Sequence, residues 1–574
     1  MDNVTWAKIV VKELIHQKVR YFCIAPGSRS TPLIMAIHEH PLAQVMTHFD
    51  ERGVGFHALG YAKASGMPVA LVATSGTALG NMMPAVMEAY HDEIPLIVLT
   101  ADRPPELQDC GANQTTDQLN FFGTHVKRSI NIDCPSNTLS PQFLQQKCHH
   151  ALQNALSLPQ GPVQINCQFR KPLVGKTSQD LNLSPKRTYF STPTIAKESM
   201  QEIADELMRH EKGVIIAGRL SLSSEMPAIA ELARKLNWPI LPDILSHCRD
   251  KQSHTIPHFE AILGASSDSK NLAPTAVLHL GKGYMSRTLL DYLAQNPPEK
   301  MFHVGQKRFD PAHIVTDHIK ADPLLFTKEL ASQLKGSGPN PYTALWQDLN
   351  RTIAAKINTF FETKKSLSEM EVARLFSNHL GPFEALFLSN SMPIRDFSFL
   401  YSHAKKSGPL FANRGLSGID GNIATAIGIA KAVKKRTWAV IGDLAFLHDL
   451  NSLAQLKRDL PITFFVINNG GGGIYSFRAI RSKKEFAEEA LVCSHARDFR
   501  AIAEQFSLQY LKPKNREELE EMALYSAPQD GPCIIEIESD REENYAFHKS
   551  LNLSLKGFDK KLKPRTFATY GNAL

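Results

Sequence analysis

The sequence predicts three doubly wound α/β domains, each built mainly on a parallel sheet. Short apolar runs rich in β-branched residues alternate with helical patterns along almost the whole chain. Two polar, weakly periodic stretches, residues 173–198 and 335–341, divide that alternation into three comparable series. The length of 574 residues suits about three or four domains at roughly 100–200 residues each. Domains are therefore expected at residues 1–180, 195–338 and 345–574.

The chain opens on MDNVTWAKIVVKELIHQ, where Asp2 and Glu13 break the charge order of an export signal, so an amphipathic helix is expected instead. Strands follow at residues 19–25, 44–50, 68–73 and 95–100, ending in APGS, DE, TSGT and ADRP. Ligands in open α/β sheets bind outside the carboxyl ends of strands, so these endings are candidate site segments. Residues 68–87 form the longest uncharged run, but Gly76, Gly80 and Pro84 interrupt it. A strand, a turn and a packed helix are expected there rather than a membrane span. Strands of the second series are expected at 213–217, 239–241, 275–280 and 301–304, and of the third at 385–388, 437–441, 462–467 and 533–537.

Composition excludes several classes. A 43% hydrophobic, 21% charged chain is ordinary for a soluble globular protein. The net charge of +7 is diffuse, and its densest cluster, Lys431 to Arg436, falls at an expected helix end that favours cations, so no nucleic-acid partner is expected. Eight cysteines without a C-x-x-C pair suit reduced thiols in a cytoplasm. Gly175, Lys176 and Thr177 lack the first glycine of a phosphate-binding loop, since Arg170 holds that position. Cys148, His149 and His150 are adjacent with no second ligand pair nearby, and a helix surface is expected for them.

The third series carries the most chemistry. One strand ends in Gly442 and Asp443, a helix is expected over residues 450–460, and the next strand ends in Asn468 and Asn469 before four glycines, Gly470 to Gly473. The two polar tips lie 26 residues apart, a β-α-β spacing that sets adjacent strand ends side by side. The Asp443 carboxylate, the Asn469 amide oxygen and a backbone carbonyl, as at Gly471, would offer Mg²⁺ (or Mn²⁺) three hard oxygen ligands. The glycines let backbone approach a diphosphate, and a helix after Asp443 could aim N–H groups at the anion. A glycine-rich turn that binds nothing is the competing reading.

This pattern resembles the G-D-x and N-N signature of thiamine-diphosphate enzymes, with Leu444 where a glycine is common. Those enzymes need a glutamate from the other catalytic domain against the aminopyrimidine ring, and Glu51 in THFDERGVGF stands at such a strand end. The resemblance implies a buried Glu51 of raised pKa that shares a proton with the ring, while the cofactor carries the hard chemistry.

The likeness extends to APGSRSTPL (25–33), DER (50–52), TSGTA (74–78), LTADRPPELQDCGANQ (99–114), NSMPIRD (390–396), NRGLSGIDG (413–421) and GDLAFLHDLN (442–451), with ESDR (538–541) and Asn544 near the end. In these segments the chain is similar to the 2-succinyl-5-enolpyruvyl-6-hydroxy-3-cyclohexene-1-carboxylate synthase family of menaquinone biosynthesis, in register across the first and third series and weakly in the middle one. The resemblance implies a pyrimidine-binding, a central and a diphosphate-binding domain. It also implies a carboligase that decarboxylates 2-oxoglutarate and adds the four-carbon remainder to isochorismate.

Both substrates are dicarboxylic acids, which suits arginine's planar fork. By carry-over, Ser28, Arg29, Arg103, Asn113 and Gln114 face isochorismate, while Ser391, Arg395 and Arg414 face 2-oxoglutarate or its adduct. Glu51, Arg29, Gln114, Arg395 and Arg414 form the catalytic set. The cofactor falls to Pro26, Glu51, Gly76, Thr77, Ser391, Gly442, Asp443, Leu444, Asn469, Gly471 and Gly472, with Ile419 as the wedge that bends it and Ile474 and Tyr475 lining its pocket. Asp443, Asn469 and Gly471 hold the metal.

In the middle series the resemblance implies Arg287 and Lys282, in LGKGYMSRTLL, as candidates for a substrate carboxylate. Tyr475 stands where Phe is usual, and Gly53 and Gly55 replace the small or apolar residues usual after the glutamate, which is expected to loosen the helix start. The family pattern places each site between two chains, in a dimer or tetramer. Another thiamine-diphosphate-dependent 2-oxoacid decarboxylase, an acetohydroxyacid-synthase-like ligase, and a cofactor-binding scaffold without catalysis are the alternatives.

Overall fold

The computed structural model describes residues 1–561 apart from 176–180, 182, 221–225, 251–252, 268, 365–366, 403–407 and 529–530. Lys176 and Thr177 thus lie outside the described residues. The first sheet contains β1 (Tyr21–Ile24), β2 (Gln44–Thr47), β3 (Val69–Ala73), β4 (Leu96–Asp102), β5 (Ser129–Ile132) and β6 (Val163–Gln168) in the order β2-β1-β3-β4-β6-β5. The second contains β7 (Gly213–Ala217), β8 (Ile240–Pro242), β9 (Ala276–Leu280), β10 (Lys300–Val304) and β11 (Asp317–Ile319), ordered β11-β10-β9-β7-β8. The third contains β12 (Ala385–Leu388), β13 (Leu410–Phe411), β14 (Thr437–Gly442), β15 (Ile462–Asn468), β16 (Gln509–Leu511) and β17 (Cys533–Glu538), ordered β13-β12-β14-β15-β17-β16.

Pairing is parallel throughout these sheets. The first and third sheets share one strand order, so both switch direction at equivalent places: between β1 and β3, and between β12 and β14. Those crevices are where a doubly wound sheet offers a ligand site. Central strands are buried on both faces, as in β3 and β4, which explains their continuous apolar runs.

Local chemistry sets the helices that matter. Asp50 caps helix Glu51–Ser65 by accepting from the Arg52 and Gly53 N–H groups, and Gly66 ends it at φ +67. That helix lies against Asn422–Val433 of the third domain. A Cβ on Gly60 would stand 2.1 Å from the Thr425 carbonyl oxygen, and one on Gly428 would stand 2.1 Å from that of His57. Gly53 and Gly55 serve the same purpose, since Cβ atoms there would lie 2.8 Å from Ser452 Oγ and 2.8 Å from Ala85 Cβ. The expectation that they loosen the helix start is corrected: they let it close.

Two further expectations change. The α-helix after the metal motif is Asp443–His448, and the segment expected to be helical over 450–460 begins with a 3-10 turn, Leu450–Gln455. Asp443 accepts from its neighbour Leu444 N, which starts the helix at the aspartate itself. Cys148 and His149 face inward on helix Pro141–Leu156, where His149 Nδ1 lies 2.8 Å from the buried Glu13 Oε1; only His150 lies on the surface.

The polar stretch before the middle domain also bonds to the first. Gln145 Nε2 donates to Ser184 O, and His149 Nε2 lies 3.0 Å from Thr188 Oγ1. Helix Pro341–Thr363 contributes Tyr342, Trp346 and Ile353 to one core shared by the second and third sheets.

Candidate active site

At the third-domain switch point, Asp443 is 3% exposed and its two oxygens accept from Leu444 N (2.6 Å) and Gly471 N (2.9 Å). Burial pushes its carboxyl above the usual range, and these donors pull the other way. Asn469 donates through Nδ2 to Glu369 Oε1 at 2.9 Å, and Ser539 Oγ donates to the same oxygen at 2.8 Å. The amide is thereby fixed, and Asn469 Oδ1 is buried without a hydrogen-bond partner among the described residues.

A carboxylate and an orphaned amide oxygen beside a backbone loop form a donor set that fits a hard divalent cation. Gly471 adopts φ +143, and a Cβ there would meet Val492 O at 2.7 Å, so the loop requires glycine. Gly442 and Leu444 flank Asp443, half-buried, and Gly472 donates to Val492 O at 2.7 Å. Sequence reasoning missed Glu369, which is 100 positions from its partner Asn469 and resembles any helix-start carboxylate.

Next to this donor set, Ser391 adopts φ +70, a backbone region that non-glycine residues seldom occupy and that clusters at functional sites. Arg395 Nη1 donates to the Ser391 carbonyl, and Arg414 Nη1 donates to Asn390 Oδ1 at 2.7 Å. Burial, then the neighbouring Arg478 and Arg414, lower Arg395 to about 10. Arg395, Arg478 and Arg287 line a cavity of about 490 Å³ between the second and third domains. Arg287 is exposed and pairs with Asp291 on its own helix at 2.7 Å. Ile419 is 39% exposed, while Ile474 and Tyr475 are half-buried on the turn Gly473–Phe477.

The first-domain switch point gathers a second group. Loops after β1 and β3 touch so closely that a Cβ on Gly27 would lie 2.3 Å from Thr74 Cβ. Arg29 is buried, donates to Phe169 O at 2.7 Å, and keeps its Nε without a partner among the described residues, as does Arg103. Burial and then Arg103 lower the Arg29 guanidinium's pKa. Gln114, at φ +56, donates to Ser75 O at 2.9 Å, and Gly76, at φ +85, donates to Gln118 Oε1 at 3.0 Å. Pro26, Ser28, Thr77 and Asn113 lie exposed around this group.

Family models match all three parts of the chain: "Thiamine pyrophosphate enzyme, N-terminal TPP binding domain" over residues 4–121, "Middle domain of thiamine pyrophosphate" over 183–388, and "Thiamine pyrophosphate enzyme, C-terminal TPP binding domain" over 397–537. The 2-succinyl-5-enolpyruvyl-6-hydroxy-3-cyclohexene-1-carboxylate synthase of Rubrobacter xylanophilus is 37% identical over 561 residues, covering 96% of this chain and 98% of the relative. The chain belongs to this synthase family. Synthases of the same name from Salinibacter ruber (36% identity, 96% of each chain) and Chlorobaculum tepidum (35%, 96% of this chain and 97% of the relative) agree. Thiamine diphosphate with a divalent metal is accordingly the cofactor expected of this synthase-family chain, and the Asp443 donor set suits it.

Within one synthase-family chain the two groups stay apart. Among the described residues, no hydrogen bond or ion pair joins the side chains of Glu51, Arg29, Arg103 or Gln114 to those of Asp443, Asn469, Arg395 or Arg414. Glu51 is half-buried, with Asn81 Nδ2 3.5 Å from Oε2, so the expectation of a buried carboxyl is not met inside a single chain. Its own third domain covers the flank of its helix, through Arg52 to His448 O and Asn451 to Asp50, rather than the glutamate itself. Lys282 is corrected as a substrate candidate: it donates to Asp92 O and lies 3.6 Å from Glu93, tying the middle domain to the first. Among the described residues no helix is long and apolar enough to cross a membrane.

Proposed function

We propose that the chain catalyses the thiamine-diphosphate-dependent decarboxylation of 2-oxoglutarate and transfer of the four-carbon remainder to isochorismate, in menaquinone biosynthesis. One observation carries the substrate assignment: Arg29, Arg103, Arg395 and Arg414 lie in two groups on the segments that follow strands β1, β4, β12 and β13, and none is in an ion pair among the described residues. Surface arginines are usually paired with carboxylates or solvated. Here two sets of buried or half-buried guanidiniums are left for anions, which matches two small dicarboxylates.

The cofactor, when bound, supplies the stabilisation of the carbanion that decarboxylation leaves. Asp443, Asn469 and the Gly471 carbonyl hold the metal, while Gly442, Leu444 and Gly472 shape the diphosphate loop. Ile419, Ile474 and Tyr475 would pack against the cofactor, and Pro26, Gly76 and Thr77 would hold its pyrimidine part. With the cofactor bound, Glu51 would face the aminopyrimidine ring and hold a proton there. Ser391, Arg395 and Arg414 orient 2-oxoglutarate, with Arg287 at the cavity rim. Ser28, Arg29, Arg103, Asn113 and Gln114 orient isochorismate, and the arginines stabilise carboxylate charge throughout.

Glu51 and Asp443 of one site come from different chains of a cytoplasmic dimer or tetramer, which accounts for the half-buried glutamate. The domain limits are 1–180, 195–338 and 345–574. Complementation tests the shared site: Glu51→Gln and Asp443→Ala are each expected to be inactive, and co-expressed they should regain activity, because one hybrid site then holds both native residues. No recovery in hybrids verified to contain both chains would overturn the shared-site arrangement.

A further inference from the structure

Helix Ala78–Asp92 of the first domain carries a buried glutamate that the chemistry above does not use. Glu88 is 3% exposed, and its two carboxylate oxygens accept from consecutive backbone N–H groups of the third domain, Gly415 at 2.7 Å and Leu416 at 2.6 Å. Beside it, Lys63 holds the preceding part of the same loop, donating to Ala412 O at 2.8 Å and Asn413 Oδ1 at 3.0 Å. Lys63 also pairs with Asp92 at 2.7 Å and lies 3.6 Å from Glu88. Asp92 is bound in turn by Arg219 of the middle domain at 2.7 Å. Burial would push Asp92 up, but Lys63 and then Arg219 hold it well below the carboxylate range.

These contacts bracket a single residue, Arg414. The loop backbone lies directly on the helix, since a Cβ on Gly415 would come within 2.6 Å of Glu88 O. From the opposite side Asn390 donates to Asn413 O (2.8 Å) and Gly418 O (2.7 Å) while its Oδ1 receives Arg414 Nη1. A buried carboxylate needs donors from somewhere, and Lys63 alone could supply them. Here both of its oxygens instead hold two successive N–H groups, which fixes the direction in which the preceding residue leaves the loop.

We propose that Glu88 and Lys63 are positioning residues for Arg414, so that the first domain sets how tightly its own chain's third domain grips the dicarboxylate 2-oxoacid. The inference rests on the substrate reading given above. Binding groups must be held within about 0.5 Å of the productive geometry, and a misplacement of about 1 Å can cost up to a hundredfold.

The test is steady-state kinetics of Glu88→Gln and Lys63→Met in the full-length holoenzyme, with 2-oxoglutarate compared against the monocarboxylate 2-oxobutyrate. The expected result is a rise of about tenfold or more in KM for 2-oxoglutarate, an unchanged KM for isochorismate, and lost preference for the dicarboxylate. Loosened packing without a positioning role would raise both KM values together and leave the 2-oxoglutarate to 2-oxobutyrate preference intact, and that outcome overturns the proposal. If one variant fails to give a cooperative urea transition, the other carries the same readout. Wild-type turnover of 2-oxoglutarate separates the two failures: its absence removes the substrate reading and this inference with it, whereas its presence with an unchanged preference in the variants removes this inference alone.

Discussion

Replacing Glu369 by alanine should weaken divalent-metal binding although none of the three proposed ligands is replaced. Glu369 Oε1 receives Asn469 Nδ2 at 2.9 Å and Ser539 Oγ at 2.8 Å, and this bond leaves Asn469 Oδ1 facing away as a free acceptor. Without it the amide can rotate, so metal binding must then order the side chain as well. Hydrogen bonds to charged groups contribute about 1.5–3 kcal/mol, and outer partners of metal ligands typically account for about ten- to a hundredfold in affinity. The two figures agree, since tenfold corresponds to about 1.4 kcal/mol. Titrating Mg²⁺ into apoenzyme at saturating thiamine diphosphate, followed by intrinsic fluorescence, should show half-saturation moved up by about ten- to a hundredfold. Glu369→Gln keeps an acceptor for Asn469 and should move it less. Wild-type Mg²⁺ half-saturation in a folded Glu369→Ala protein would refute the reasoning.

Other expectations concern the fold. Gly60→Ala should lower stability by about 1–3 kcal/mol, read as a lower urea midpoint at unchanged slope, because its Cβ would meet the Thr425 carbonyl oxygen at 2.1 Å. Acid should also destabilise the chain. Burial holds the imidazoles of His57 and His258 at about 4, below the ordinary 6.5. The unfolded chain therefore binds protons near pH 6.5 that the native state refuses until about pH 4, so stability is full above pH 6.5 and is lost as pH falls between those values. At pH 5 that loss is roughly 2 kcal/mol for each of the two groups, measurable as a drop in urea midpoint between pH 7 and pH 5.

The strand ends were legible in the sequence because they terminate long apolar runs at regular spacing, and Asp443 and Asn469 sit at two of them. Four short edge strands were not: β5, β11, β13 and β16 are two to four residues long, too short to show an apolar run, whereas the edge strands β2 and β8 overlap expected runs. Partners distant in sequence were equally hidden. Glu369, Glu88 and Lys63 read as ordinary helix charges until the fold brings them to Asn469 and the 412–416 loop. Gly53 and Gly55 misled in the opposite sense, since helix propensity counts a glycine as weak while a close helix crossing requires its missing side chain. His149 beside Glu13 shows the same limit: three adjacent polar residues say nothing of which one the neighbouring helix will bury.

Carbon dioxide release from 2-oxoglutarate, measured with isochorismate, Mg²⁺ or thiamine diphosphate omitted in turn, bears most directly on the proposed activity. Turnover should require all three, with product carrying the four-carbon unit on the isochorismate ring. Undiminished release without isochorismate would contradict the account and make the chain a simple 2-oxoacid decarboxylase.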